Sequence, residues 1–242
     1  MPQKTSYHPG DWIIKSYASS TLMFISLFGQ QSNTMRLGLV TDIHNDCGNL
    51  RKALDVFRKH QVDQVVTIGD TCDAFAPPDG ADEVASLLSS CGAVGVWGNH
   101  DFHLCREVSD FCQDKFAATT FEFMRQMQPQ LEIDGCYFSH KDASVDPLDV
   151  EQLWSFEEDA RDLFARARAA FAANRHGRQF MGHYHCWWAA TATGPISWNG
   201  SESLTLMPHE RYVVIIAGVF QGKCAVFNTV TGVLDPLECS SP

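Results

Sequence analysis

Nothing in this 242-residue chain approaches the roughly 20 consecutive apolar residues that a membrane-spanning helix needs. The apolar run from Thr21 to Phe28 is far too short, and no small-x-small cleavage site follows it. No two cysteines are spaced C-x-x-C, and their number, nine, is odd, which weighs against a disulfide framework and a structural Cys-rich zinc centre. A reducing, cytoplasmic setting is the expectation. Basic residues are scarce: 18 Lys and Arg stand against 29 Asp and Glu, a formal net charge of −11. That excludes an extended nucleic-acid surface, which would need surplus cations to neutralise phosphates. No internal repeat or low-complexity tract is present, and a chain of this length with 45% hydrophobic residues can bury one full core.

What is present is a set of five short polar blocks: Asp42-Ile43-His44, Gly69-Asp70, Gly98-Asn99-His100-Asp101, Ser139-His140 and Gly182-His183-Tyr184-His185. The first three follow apolar, strand-like runs, Leu37 to Val40, Val65 to Ile68 and Ala93 to Trp97. Ligands at the ends of neighbouring strands can converge from distant sequence. Asp and Asn oxygens mixed with imidazole nitrogens suit divalent Mn, Fe, Zn or Ni. One carboxylate midway in such a set can bridge two ions.

The order D-x-H, G-D, G-N-H-D, S-H, G-H-x-H resembles that of the calcineurin-like metallophosphoesterase superfamily, from about Met35 to His185. The resemblance implies an α/β fold, a four-layer α/β/β/α sandwich of two mixed sheets flanked by helices. It implies two divalent metal ions, one held by Asp42, His44 and His185, the other by Asn99, His140 and His183, with Asp70 bridging. It makes His100 a catalytic residue facing the substrate and Asp73 the carboxylate that holds the His100 ring. The implied activity is two-metal hydrolysis of a phosphodiester or small phosphomonoester through a bridging water. A small phosphorylated substrate is compatible with an acidic chain, because the metals supply positive charge. Ala74 follows Asp73 where Ser/Thr phosphatases of the superfamily carry an Arg-Gly, which weighs against a phosphoprotein phosphatase. That activity and nucleotide hydrolysis remain the enzymatic alternatives. A non-catalytic protein-binding scaffold is the alternative of another class, opposed by retention of the whole ligand set.

The remaining candidates read more plainly. Asp101 is expected to order its loop. Cys47, Cys72 and Cys186 lie near ligand blocks but are expected to be buried thiols. His8, His60, His103, His176 and His209 match no block and read as surface or loop residues. Tyr184, Trp187 and Trp188 read as core in preference to a pocket wall stacking on a base or aryl group.

Residues 1–34 are expected to be an N-terminal extension, disordered or created by an upstream start codon, preceding a phosphoesterase domain at 35–242. From Met35 the pattern predicts alternating strands and helices: a helix at Asn49–His60 with Asn49 as N-cap, and another at Ala81–Cys91 stopped by Gly92. Parallel strands with right-handed crossovers follow. The second half predicts helices at Val108–Met127 and Phe156–Asn174, a strand at Cys136–Ser139, strand character at Trp187–Thr193, Ser203–Met207, Arg211–Val219 and Lys223–Phe227, and a hairpin turn at Gln221-Gly222. The segment between His140 and His183, which contains the Phe156–Asn174 helix, reads either as a cap bearing on substrate choice or as a plain surface helix and its exit, with Arg161, Arg166, Arg168, Arg175 and Arg178 as solvated charges.

Overall fold

The computed structural model describes residues 35–155 and 162–239; the expected extension at 1–34, with His8, and the first residues of the predicted Phe156–Asn174 helix lie outside the described residues. In β1 (Arg36–Val40), period-2 alternation sends Leu37 and Leu39 to one face and Val40 to the other, and all three are fully buried. A strand buried on both faces must be covered on both. On one face lie the helices α1 (Cys47–Lys59) and α2 (Ala81–Ser90), which bring Leu50, Phe57, Val84 and Leu88 onto Val40 and onto Val65 of β2 (Gln64–Ile68). On the other, Leu37, Leu39, Val66, Ile68 and Val96, the last from β3 (Val94–Val96), meet Phe138, Phe180 and Val214 of a second sheet.

The first sheet has the order β3-β2-β1-β11-β12-β9, with β11 at Lys223–Asn228, β12 at Val233–Glu238 and β9 at Leu204–Thr205. Its β1, β2 and β3 are parallel, and β11, β12 and β9 continue antiparallel. The second sheet runs β4-β5-β6-β10-β7-β8, formed by Leu131–Ile133, Cys136–Phe138, Arg178–Met181, Tyr212–Ile215, Trp188–Thr191 and Gly194–Pro195. Here β5, β6 and β10 are parallel and the flanking strands antiparallel. Its outer face is covered by α7 (Leu163–Ala173), through Ala167 and Ala170 packed on Met181, Val213 and Ile215. The four-layer α/β/β/α sandwich is therefore the fold.

Several boundaries differ from the sequence expectation. The N-cap of α1 is Asp46, whose carboxylate accepts from the Asn49 N–H at 2.9 Å; Asn49 is already inside the helix. Two Asx residues three apart can each cap, and the upstream one satisfies the orphan donors one turn earlier. The predicted Val108–Met127 helix is broken into α4 (Asp110–Gln113), capped by Ser109, and α5 (Ala118–Met124), which begins after extended Ala117. A shorter α3 (Phe102–Cys105) precedes them. Gln221-Gly222 is not a hairpin turn: it closes a 3₁₀ turn, Val219–Gln221, that carries the chain from β10 in one sheet to β11 in the other. The described part of the Phe156–Asn174 helix is the layer helix α7, which packs on the second sheet.

Candidate metal centre

The parallel strands of both sheets deliver their carboxyl ends to one place. The loop after β1 is tied to the loop after β2 by Asp42 N–H to the Gly69 carbonyl (3.0 Å) and by Ile43 and His44 N–H to the Asp70 carbonyl (2.8 and 3.1 Å). His140, just after β5, donates from Nδ1 to the Ile68 carbonyl at 2.8 Å, and Gly182, just after β6, donates to the His140 carbonyl at 3.1 Å. These bonds lock the two sheets together at the level of the polar blocks.

The backbone is strained there. Asp42, His44, Asp70, His183 and His185 all have positive φ, between 47° and 67°. For non-glycine residues such conformations are uncommon and persist only where the surroundings impose them. Here they fold the chain back immediately after each strand and turn the side chains toward a common centre. Two glycines make room for that centre. A Cβ at Gly98 would overlap Asp70 Oδ1, and one at Gly182 would overlap Thr41 Oγ1.

The structure brings all seven expected ligand residues together. Asp42, His44 and His185 offer atoms within 4.8 Å of one another, as do Asp42, Asp70 and His140. His185 Nε2 is 3.1 Å from Asp42 Oδ1, and His44 Nε2 lies 3.9 Å from Asp42 Oδ1 and 3.8 Å from Asp70 Oδ2. Asp70 Oδ2 is also 3.2 Å from His140 Nε2, so one carboxylate oxygen faces both halves of the cluster. Asn99 Oδ1 lies 3.1 Å from His140 Nε2 and 3.0 Å from His183 Nδ1. Thr41 Oγ1 and the His183 N–H both donate to Asp42 Oδ2, at 2.8 and 3.2 Å, fixing that carboxylate.

This donor set fits divalent cations. His44 Nε2 is buried and has no hydrogen-bond partner, yet it faces two carboxylates just beyond hydrogen-bond range. Donors separated in this way surround a small cation naturally, because each would sit about 2.0–2.2 Å from it. No cysteine joins the ligand groups among the described residues, and Cys72 is fully buried, its thiol pushed well up by that burial.

Electrostatics sort the groups into roles. Burial would raise the Asp70 pKa, but His140, with His100 and His44, overrides it and holds the carboxyl below the usual carboxylate range. His140 is pushed up to about 10, Asp70 overcoming the opposing effect of burial, whereas burial and the neighbouring His140 push His183 down to about 2. Asp101 is fully buried and orders the loops as expected, accepting from the N–H groups of Thr71 (2.7 Å) and Gly98 (2.5 Å); burial and Asp70 push its pKa up to about 8.

His100 stands at the edge of the cluster. Its N–H donates to Asp70 Oδ1 at 2.9 Å, and its ring Nδ1 lies 3.1 Å from Asp73 Oδ2. Burial lowers its pKa, but Asp73 and Asp70 outweigh that and raise it. Asp73 is itself held well below the carboxylate range, His100, His44 and the Phe75 N–H overcoming the effect of its partial burial. By distance alone His100 also groups with His44 and Asp70.

Of the other histidines, His60 and His209 are exposed; His103 is half-buried, as is His176, which stacks on Tyr137 and lies 3.1 Å from Glu132. Trp187 and Trp188 are half-buried, Trp187 packing with Trp198 against the core between the sheets and Trp188 against the outer core under α7. Tyr184, half-buried, packs on the outer core and also stands edge-on to His183 at 5.1 Å; Phe75, Trp154 and Phe220 flank the cluster as well, on His100, His44 and His185. Sequence reasoning passed over these last three, and Phe75, two residues beyond Asp73, carried the one usable signal. Trp154 arrives on α6 (Val150–Trp154), an element with no strong periodicity.

Fold and site together define a two-sheet α/β/β/α domain with a histidine–carboxylate cluster at the carboxyl ends of its parallel strands. The chain belongs to the calcineurin-like phosphoesterase superfamily, whose domain model matches residues 35–208. Members of that superfamily are phosphoesterases built on a dinuclear divalent metal centre. A metallophosphoesterase from Sphaerobacter thermophilus superposes with a TM-score of 0.67 at 18% identity, covering 87% of this chain and 90% of that one. A hypothetical protein from Pyrococcus horikoshii OT3 superposes with a TM-score of 0.56 at 11% identity, covering 84% and 87%. At these identities the likeness is one of fold. No curated protein sequence matches the chain significantly. No helix among the described residues is long and apolar enough to cross a membrane.

Proposed function

We propose that this protein is a metal-dependent phosphoric ester hydrolase acting on a phosphodiester or small phosphomonoester. The observation that carries the reading is the division of labour at the cluster: the expected ligands converge, while His100 sits beside them with a carboxylate on its far nitrogen. Asp42, His44 and His185 would hold one divalent ion and Asn99, His140 and His183 the second, with Asp70 shared. Bound metal supplies an activated water and neutralises phosphoryl oxygens. Asp73 fixes the His100 ring and favours its protonated form, so that Nε2 can give a proton to the departing oxygen. Thr41 and the His183 N–H hold Asp42, and Asp101 holds the loops that carry Asp70 and Asn99. The net charge of −11 favours small substrates over extended polyanions.

The test is hydrolysis of bis(p-nitrophenyl) phosphate and p-nitrophenyl phosphate by metal-stripped protein resupplied with Mn, Ni, Zn, Fe or Mg. His100→Ala should retain both metals and lose about 10²- to 10⁴-fold in turnover. Metal loss in that variant would make His100 a ligand, and absence of turnover with every metal would move the scaffold reading forward.

A further inference from the structure

Phe75 is 58% exposed although its ring lies beside His100 at the edge of a buried ionic cluster. Its ring stands edge-on to Trp154, with centroids 5.5 Å apart, and both contact His100: Trp154 at 4.8 Å and Phe75 at 6.2 Å. Trp154 is held in place from three directions. Leu153 beside it is buried in the core. Buried Lys141, next to His140, donates from Nζ to the carbonyls of Gln152 (2.9 Å) and Ser155 (2.6 Å) and to Ser155 Oγ (3.0 Å). Those acceptors form the C-terminal end of α6, where a cation is favourable. Trp97 Nε1 donates to the Pro147 carbonyl at 2.9 Å and fixes the approach to the same helix. A firmly anchored, half-buried Trp154 with the exposed Phe75 ring edge-on to it, beside the one residue assigned to the departing oxygen, is placed to contact whatever that oxygen carries.

We infer that Phe75 and Trp154 form a stacking platform for a planar aromatic ring on the leaving side of the ester, an aryl group or a nucleobase. This rests on the hydrolase reading for the assignment of sides. A ring gains dispersion and edge-to-face contact there without needing charge. The chain's net charge of −11 is compatible with that, since an uncharged ring can be held there without a surplus of cations.

The test is calorimetric binding of phenylphosphonate, cyclohexylphosphonate and methylphosphonate to the full chain loaded with manganese. The wild type should bind the phenyl compound about tenfold more tightly than the methyl one. It should also prefer phenyl over cyclohexyl, which matches it in size but is not flat. Phe75→Ala and Trp154→Leu should each remove most of the phenyl preference, whereas Phe111→Ala, an exposed phenylalanine on α4, should leave it unchanged. Failure to bind phenylphosphonate, equal binding of phenyl and cyclohexyl compounds, or a preference that survives both variants would overturn the platform. Absence of ester turnover with every metal would instead strike the hydrolase reading, because the binding ratios are measured without turnover.

Discussion

The two sheets contribute to the cluster in different currencies. The β1-β2-β3 side supplies every oxygen donor, Asp42, Asp70 and Asn99, together with His44 and the His100–Asp73 pair. The β5-β6 side supplies imidazoles alone, His140, His183 and His185. Both of the ligand groups that contain Asp42 draw a histidine from across the sheet interface, whereas the group of His44, Asp70 and His100 lies wholly on the β1-β2-β3 side. The core between the sheets, with Leu39 and Ile68 facing Phe138 and Phe180, is thus what sets the separation between oxygen and nitrogen donors. A site assembled across a packed interface depends on tertiary packing as much as on the ligands.

The comparison predicts that losing a shared oxygen is worse than losing an imidazole that serves one ion. Asp70→Asn keeps the shape but removes the charge facing both His44 and His140. It should weaken both metals and cut turnover beyond the roughly 10- to 100-fold typical of outer-shell changes. His185→Asn, at a half-exposed ring in one group only, should weaken one metal and leave the other measurable by metal analysis after dialysis. Equal losses in the two variants would erase the distinction between the sheets.

A smaller effect is expected where the sheets touch without sharing a ligand. A Cβ at Gly182 meets Thr41 Oγ1 and Asp42 Oδ2, so Gly182→Ala must push β6 away from β1 or displace Asp42. Overpacking of this kind costs about 1–3 kcal/mol, and metal affinity should fall with it. Gly194→Ala at the open edge of the second sheet meets nothing within 4 Å and should stay within about 0.5 kcal/mol of the wild type. Urea unfolding of the two variants, with and without metal, separates a seam effect from a generic glycine effect.

The same contrast explains what was legible in the sequence. Between Leu37 and Trp97, period-2 strands and period-3.6 helices alternate and each strand ends on a polar block, so fold and ligands are written in adjacent residues. In the second half the ligands are just as local, but the architecture is not. β12 contains Pro236, which cannot donate to a ladder and so reads as non-strand; it is tolerated because β9 pairs only with Val233 and Leu234. Gln221-Gly222 has the composition of a hairpin turn, yet whether β10 and β11 share a sheet is decided by packing. Of the flanking aromatics, Trp154 was invisible for the same reason. Trp154 reaches His100 through Lys141 and the end of α6, a route with no spacing to read.

At pH 7 a small effect is expected at a site remote from the cluster, and it concerns how the second sheet tolerates base. Cys136 on β5 is fully buried beside Arg178 of β6, and burial, against the favourable pull of Arg178, pushes its thiol up to about 12 from an ordinary 9.0. A folded-state pKa raised above the unfolded value means that the folded chain keeps a proton the unfolded chain releases. The stabilisation is therefore complete below pH 9 and is lost as pH rises toward 12, at about 1.4 kcal/mol per pH unit from this one group. Cys136→Val, close in volume and suited to a strand, should alter stability at pH 7 by less than about 1.5 kcal/mol. Between pH 9 and 11 its stability should fall less steeply than that of the wild type, by one proton's worth of slope. Urea midpoints across that range give the slope directly, and parallel pH dependences for the two chains would mean that the β5 thiol is already ionised in the folded protein.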